Sequence, residues 1–200
     1  QFDNIHIPPS PGDAGSAVGA AQYLYHIYHK NPKNIFNNNA QLIHENVYVG
    51  PSFTNEEITK FLNSENISHK EFDRESLLKK TAQLIADGNI VGWYQGKMEW
   101  GPRALGNRSI LADPRREDMK DILNAKIKHR ESFRPFAPSI LEEYASEYFD
   151  MDIPSPYMLM VSPVKKPKDI PAVTHVDGTG RLQTVSKNTN LLYYDLINEF

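Results

Sequence analysis

Arg103, Arg108, Lys128 and Arg134 are the side chains of this 200-residue sequence whose types and spacing most directly suggest chemistry. Arg103 and Arg108 flank a Gly-containing stretch, GPRALGNRS, in which backbone N–H groups and guanidinium forks can turn toward one anion. Arg134 lies between Phe133 and Pro135, in a segment expected to be extended, so bulky neighbours would fix its direction. Such a set can neutralise phosphate oxygens as they gain charge in a transfer step. The stretch lacks the GKS or GKT ending of a P-loop and is not a dinucleotide-binding glycine pattern.

Two other groups carry candidates. HVDGTGR holds His175, Asp177 and Arg181; a hairpin turn accounts for Asp177 and the glycines, while His175 and Arg181 could share one rim and meet a phosphate or a nucleobase. PGDAG places Asp13 at the start of a helix, either as a capping carboxylate or as a metal or nucleotide contact. His6, His26 and His29 lack the spacing of a metal motif and are read as ordinary surface or helix residues. Trp93, Trp100, Phe133 and Phe136 are assigned to core or pocket wall, and Tyr144, Tyr148 and Phe149 to an apolar helix face.

Charge supports the anion reading. Residues 101–135 hold nine Lys or Arg against five acids, a local +4 in a chain of net −3, so the remainder carries −7. A compact basic region suits a small anion better than a nucleic-acid track, which needs a longer basic face. With 40% hydrophobic and 24% charged residues the composition is that of a folded domain. The sequence has no cysteine and hence no disulfide or thiol nucleophile. It has neither a membrane-length apolar run nor a secretory leader, and a cytoplasmic protein is the simplest expectation.

The elements expected to position these residues alternate irregularly. Helices are predicted over 15–29, 55–62, 74–87, 117–128, 142–149 and 190–200, the second opened by a Thr54/Glu57 capping box and the third closed by Gly88. Short strands are predicted at 47–49, 90–94, 110–112 and 157–163, with extended segments at 172–176 and 181–185 joined by the DGTG turn. The Asn-rich stretch 31–46 is expected to be loop. This pattern implies a mixed α/β fold, with α+β as the alternative.

Three segments together, GKMEWGPRALGNRSILADPR, KIKHRESFRPFAPSI and VTHVDGTGRLQTV, resemble the C-terminal region of the O-carbamoyltransferases that modify antibiotics and nodulation factors. PPSPGDAGSAVGAA resembles the end of the same proteins' first domain. The resemblance implies residues 1–50 as the end of a TsaD-like, actin-like ATPase domain, 51–75 as a connector, and 76–200 as a YrdC-like twisted sheet with helices, incomplete at its C-terminus. It implies that the YrdC-like part makes carbamoyl adenylate from ATP and carbamoyl phosphate, and that the other domain passes the carbamoyl group to an acceptor hydroxyl beside a divalent metal, iron. Arg103, Lys128 and Arg134 then correspond to catalytic phosphate binders, Arg108, Ser109, His175 and Arg181 to substrate-binding positions, and Asp13 to a metal-binding aspartate. By the same resemblance the chain starts after the metal-binding histidines, so Asp13 alone should not hold the metal, and it stops before a final Asn-Thr-Ser segment, as a fragment would. A homodimer is compatible with this reading. The alternatives are a non-catalytic nucleotide- or RNA-binding module and a regulatory or structural remnant.

Overall fold

The computed structural model describes residues 8–31 and 47–200; His6 and most of the expected Asn-rich loop lie outside them. Helix α1 (Asp13–Gln22) runs on into a wide π-type turn, Tyr23–Tyr28, and buries none of its residues. Its large apolar side chains Tyr23, Leu24, Tyr25, Ile27 and Tyr28 are exposed. Helix α2 (Asn55–Ser64) opens on the expected capping box, with Thr54 N donating to Glu57 Oε2 at 2.7 Å and Glu57 N to Thr54 Oγ1 at 3.2 Å. Helix α3 (Arg74–Ala86) is capped by Asp73, which accepts from Ser76 N, and is followed by Gly88 at φ +84°.

Strand β1 (Val91–Tyr94) pairs antiparallel with β2 (Arg108–Leu111), so Trp93 faces Ser109 and Tyr94 faces Arg108. The second strand starts two residues earlier than expected and takes Arg108 and Ser109 out of the loop. Helix α4 (Met119–Ile122) widens into the turn Leu123–Lys128, and His129 closes it in the left-handed region at φ +47°. Strand β3 (Ser139–Leu141) is all that becomes strand in the FRPFAPSIL segment; Arg134 lies outside any strand, and its neighbours Phe133 and Pro135 are exposed, so they do not fix its direction.

The expected hairpin across DGTG does not form. Residues Pro171–Val173 make a 3₁₀ turn, and His175 N donates to Thr179 O at 2.7 Å, closing a loop too tight to extend into a ladder. Beyond it, β5 (Thr179–Gly180) pairs antiparallel with β4 (Ser162–Pro163), and β6 (Gln183–Val185) pairs parallel with β3. The strand expected from 157 shrinks to β4, and Met158, near the start of the expected stretch, adopts φ +54°. After β6 comes helix α6 (Leu191–Glu199), capped by the Asn190 side chain. A short helix α5 (Ala145–Tyr148) lies between β3 and β4.

The described residues thus make a mixed α/β fold with three separate two-stranded ladders. Its main core joins Leu78 and Ala82 of α3, Trp93 of β1, Leu141 of β3, Val185 of β6 and Tyr193, Tyr194 and Leu196 of α6. A second gathers Ala145, Phe149, Ile170, Val173 and Leu182, and a third Met119, Leu123 and Ala172. Phe149 is buried as expected, but Tyr144 is half exposed and Phe133, assigned to core or pocket wall, is exposed at 74%. No helix of the described residues is long and apolar enough to cross a membrane.

One contact ties the core to the Gly-containing stretch. Gly106 sits at φ +104°, and a Cβ built there would lie 2.3 Å from a ring carbon of buried Tyr193. Gly106→Ala combines backbone strain with overpacking and should cost roughly 2–4 kcal/mol. Urea unfolding should show a lowered midpoint at unchanged slope; an unchanged midpoint would mean that α6 does not pack on this loop.

Candidate functional site

The stretch between β1 and β2 is organised around a residue that its spacing did not mark. Glu99 is buried, and one oxygen, Oε1, accepts three backbone N–H groups: Leu105 at 2.8 Å, Asn107 at 2.7 Å and Arg108 at 3.0 Å. The intervening Gly106 N donates to Ser109 Oγ at 2.9 Å. Every backbone N–H from Leu105 to Arg108 is therefore used inside the protein. The expectation that these groups would turn toward a bound anion is overturned at this segment, because the Glu99 carboxylate occupies the place of that anion.

Carbonyls and amides hold the same loop from its other side. Leu105 O accepts from Tyr48 Oη at 2.7 Å and from Gln183 Nε2 at 2.9 Å. Burial pushes the Tyr48 phenol up to about 12, which keeps it a hydroxyl donor. Asn107, Gln95 and Asn190 form an amide cluster: Asn107 Oδ1 accepts from Gln95 Nε2 and Asn190 Nδ2, both at 2.8 Å, and Asn107 Nδ2 donates to Lys97 O at 2.7 Å. Arg108 closes the turn rather than facing outward. Its guanidinium donates to the carbonyls of Gln95, Gly96, Pro51 and Asn107 and stacks 3.5 Å from the Tyr94 ring centroid. Ser109 is likewise engaged by Gly106.

Arg103 and Arg181 are placed differently. Arg103 is exposed on the crest of the loop, and its positive charge reaches Arg181. Burial first, and then that charge, hold the Arg181 guanidinium below the ordinary arginine range. Arg181 Nε is buried without a hydrogen-bond partner, and neither arginine has an ion-pair partner among the described residues. Two guanidinium groups that repel each other, one with an unpaired buried donor, make an environment that an oxyanion would relieve. His175 stands six residues from Arg181, its Nδ1 3.0 Å from Thr179 Oγ1, while Asp177 accepts from the N–H and hydroxyl of that threonine. These contacts make Asp177 a turn carboxylate.

The remaining basic candidates surround a second buried amide. Asn124 Nδ2 donates to Arg134 O at 2.9 Å and to Ser132 O at 3.3 Å, while its Oδ1 accepts from Arg130 Nε at 2.7 Å. Arg130 also lies over the Phe136 ring. Arg134 itself is exposed and ion-paired with Glu131 at 2.8 Å. Lys128 is exposed at the end of the Leu123–Lys128 turn, without a hydrogen-bond or ion-pair partner among the described residues. The charge of Arg103 acts on Arg181, whereas Asn124 holds the Arg134 carbonyl and Lys128 ends the turn that includes Asn124. No contact recorded among the described residues joins the two pairs.

Asp13 is the first residue of α1 and is exposed; Gly12 takes the capping position and no side chain caps the helix, so the capping role does not hold. Among the described residues no group of three or more His, Cys, Asp or Glu could hold a metal ion. Hollows of about 580 Å³ around Glu142, Ser186 and Lys187, and of about 840 Å³ around Pro114, Tyr148 and Phe200, contain none of the expected site residues.

Residues 82–200 match the family model described as carbamoyltransferase C-terminus. Among similar curated proteins, the nodulation protein NolO of Bradyrhizobium diazoefficiens is 44% identical over 206 residues, covering 100% of this chain and 36% of its own. Nodulation protein U of Sinorhizobium fredii is 36% identical over 201 residues, covering 100% of this chain and 33% of its own. An uncharacterized protein of Synechocystis is 43% identical over 224 residues, with 100% and 36% covered. The chain therefore spans about a third of the length of these relatives.

Asn124→Ala removes three hydrogen bonds and leaves Arg130 Nε without its acceptor. A loss of about 2–3 kcal/mol is expected in denaturant unfolding. A loss below about 0.5 kcal/mol, the range of an ordinary surface change, would show that this amide does not frame the 128–134 segment.

Proposed function

The chain belongs to the carbamoyltransferase family through its C-terminal region, and on that premise we propose that it forms the activating part of an ATP-dependent O-carbamoyltransferase. In this reading residues 76–200 are a YrdC-like unit that makes carbamoyl adenylate, residues 51–75 are a connector, and residues 1–50 end a TsaD-like domain. The observation that carries the proposal is the uncompensated Arg103–Arg181 pair with its orphaned Arg181 Nε. Phosphate oxygens are the oxyanions both substrates would bring to it.

The chemistry divides into two displacements. Water adds at the carbamoyl carbon of carbamoyl phosphate, the bond to the phosphate oxygen breaks, and carbamate and inorganic phosphate result. A carbamate oxygen then bonds to the α-phosphorus of ATP as the bond to the bridging oxygen breaks, and pyrophosphate leaves. Charge accumulates on phosphate oxygens in both steps. Arg103 and Arg181 would neutralise it, and Lys128 would add a mobile ammonium. Arg134 would contribute after exchanging Glu131 for a phosphate oxygen. His175, Arg108 and Ser109 would keep these groups in place. No covalent nucleophile is required, since positioning and charge stabilisation suffice.

The carbamoyl group would pass to a hydroxyl of a small acceptor. Asp13 would offer one carboxylate to a divalent metal, iron in this reading, whose other ligands would come from outside the described residues; no step is routed through it. An RNA-binding module would need a continuous basic face. Of the nine basic residues in 101–135, five are already engaged: Arg108 with carbonyls, Arg130 with Asn124, and Arg115, Arg116 and Arg134 with acids. That favours the small-anion reading.

The test is ATP–pyrophosphate exchange in the full-length protein. Exchange should require carbamoyl phosphate, and Arg181→Ala should lower its rate about 100-fold, the usual scale for losing one preorganised donor. Absence of exchange in the unaltered protein, or an unchanged rate in the variant, would refute the assignment.

A further inference from the structure

We infer that Glu99 is a positioning residue that sets the separation of the Arg103 and Arg181 guanidinium groups; this rests on the anion-binding reading of that pair. Residues 100–104 form an arch with Arg103 near its crest. The near foot is fixed by backbone: Glu99 bridges Tyr48, Trp100 N donates to Val47 O at 2.7 Å, and Met98 N donates to Pro51 O at 2.9 Å. The far foot is fixed by the Glu99 side chain, which takes the N–H groups of Leu105, Asn107 and Arg108 on a single oxygen. One residue therefore holds both ends of the arch.

Leu105 carries this placement across to the other arginine. Its N–H goes to Glu99 and its carbonyl to Gln183 Nε2 at 2.9 Å. Arg103 is two residues before Leu105, and Arg181 is two residues before Gln183. The path between the two guanidinium-bearing segments thus runs through a single residue, Leu105, whose N–H is held by a carboxylate and whose carbonyl is held by an amide. Gln183 is itself buried and held by Ser139 Oγ at 3.0 Å, so the second segment is anchored to β3. Without a charged acceptor at Glu99, the three N–H groups lose their strongest partner and the arch loses its far foot.

This coupling has a signature that a general loss of stability lacks. Glu99→Gln keeps the reach and one acceptor oxygen but removes the charge. Pyrophosphate, the product that leaves in the proposed reaction, is titrated calorimetrically into the full-length protein and into the Glu99→Gln, Arg103→Ala and doubly substituted forms, with thermal denaturation checking that each is folded. Glu99→Gln should weaken binding about tenfold when Arg103 is present and less than about twofold in the Arg103→Ala background, since residues in one network couple strongly. Equal loss in both backgrounds, or none in either, overturns the inference and leaves the function intact if Arg103→Ala alone weakens binding. If the unaltered protein does not bind pyrophosphate, the functional reading falls and this inference with it. Should Glu99→Gln not fold, Gln183→Met enters the same cycle in its place, with the same coupling expected and independence from Arg103 contradicting it.

Discussion

One carboxylate oxygen accepting three backbone N–H groups is the interaction on which the candidate site depends. A buried carboxylate is costly unless its lone pairs are filled, and clustered N–H groups are costly unless they find an acceptor. Glu99 and the segment Leu105–Arg108 meet both requirements at once. The consequence is geometric: the loop cannot open without exposing unpaired groups on both partners, so Arg103 is presented from a rigid arch. Gly106 is what permits the close approach, since its positive φ and the Tyr193 ring leave no room for a side chain.

The surrounding polar contacts use the same logic. Tyr48, Gln183, Gln95, Asn107 and Asn190 bind one another or the loop's backbone, so the buried polar atoms between β2, β6 and α6 stabilise one arrangement. Arg181 Nε is an exception. An unsatisfied buried donor costs about 1–3 kcal/mol, and placing it near a second guanidinium adds repulsion. Trp93 Nε1 and Ser162 Oγ are also buried without a hydrogen-bond partner, but Arg181 Nε belongs to the charged group among the three. A bound oxyanion would recover that loss.

Sequence periodicity revealed α2, α3 and α6 well because their signals are local: a capping box, the Gly88 terminator, and apolar residues at helical spacing. Pairing was harder to read. Whether 181–185 would fold back on 172–176 or run beside 139–141 depends on partners more than forty residues away, and the DGTG composition fits a tight loop as well as a hairpin. At the site, the arginines stood out because clustered charge is visible in a list of residues. Glu99 and Asn124 did not, since their roles come from burial and from which donors surround them. Glu99 in GKMEWGPRALG had only its place just before the glycines as a signal. Arg108 shows the converse: its type and position fit anion binding, but four nearby carbonyls claim its donors.

The most direct measurement is a crystal structure of the full-length protein with pyrophosphate bound. A phosphate group should lie between the Arg103 and Arg181 guanidinium groups, within hydrogen-bond distance of Arg181 Nε, while the N–H groups of Leu105, Asn107 and Arg108 remain on Glu99. Pyrophosphate held elsewhere, with Arg181 Nε still unpartnered, would contradict the site; these three N–H groups turned from Glu99 onto the ligand would contradict the rigid arch.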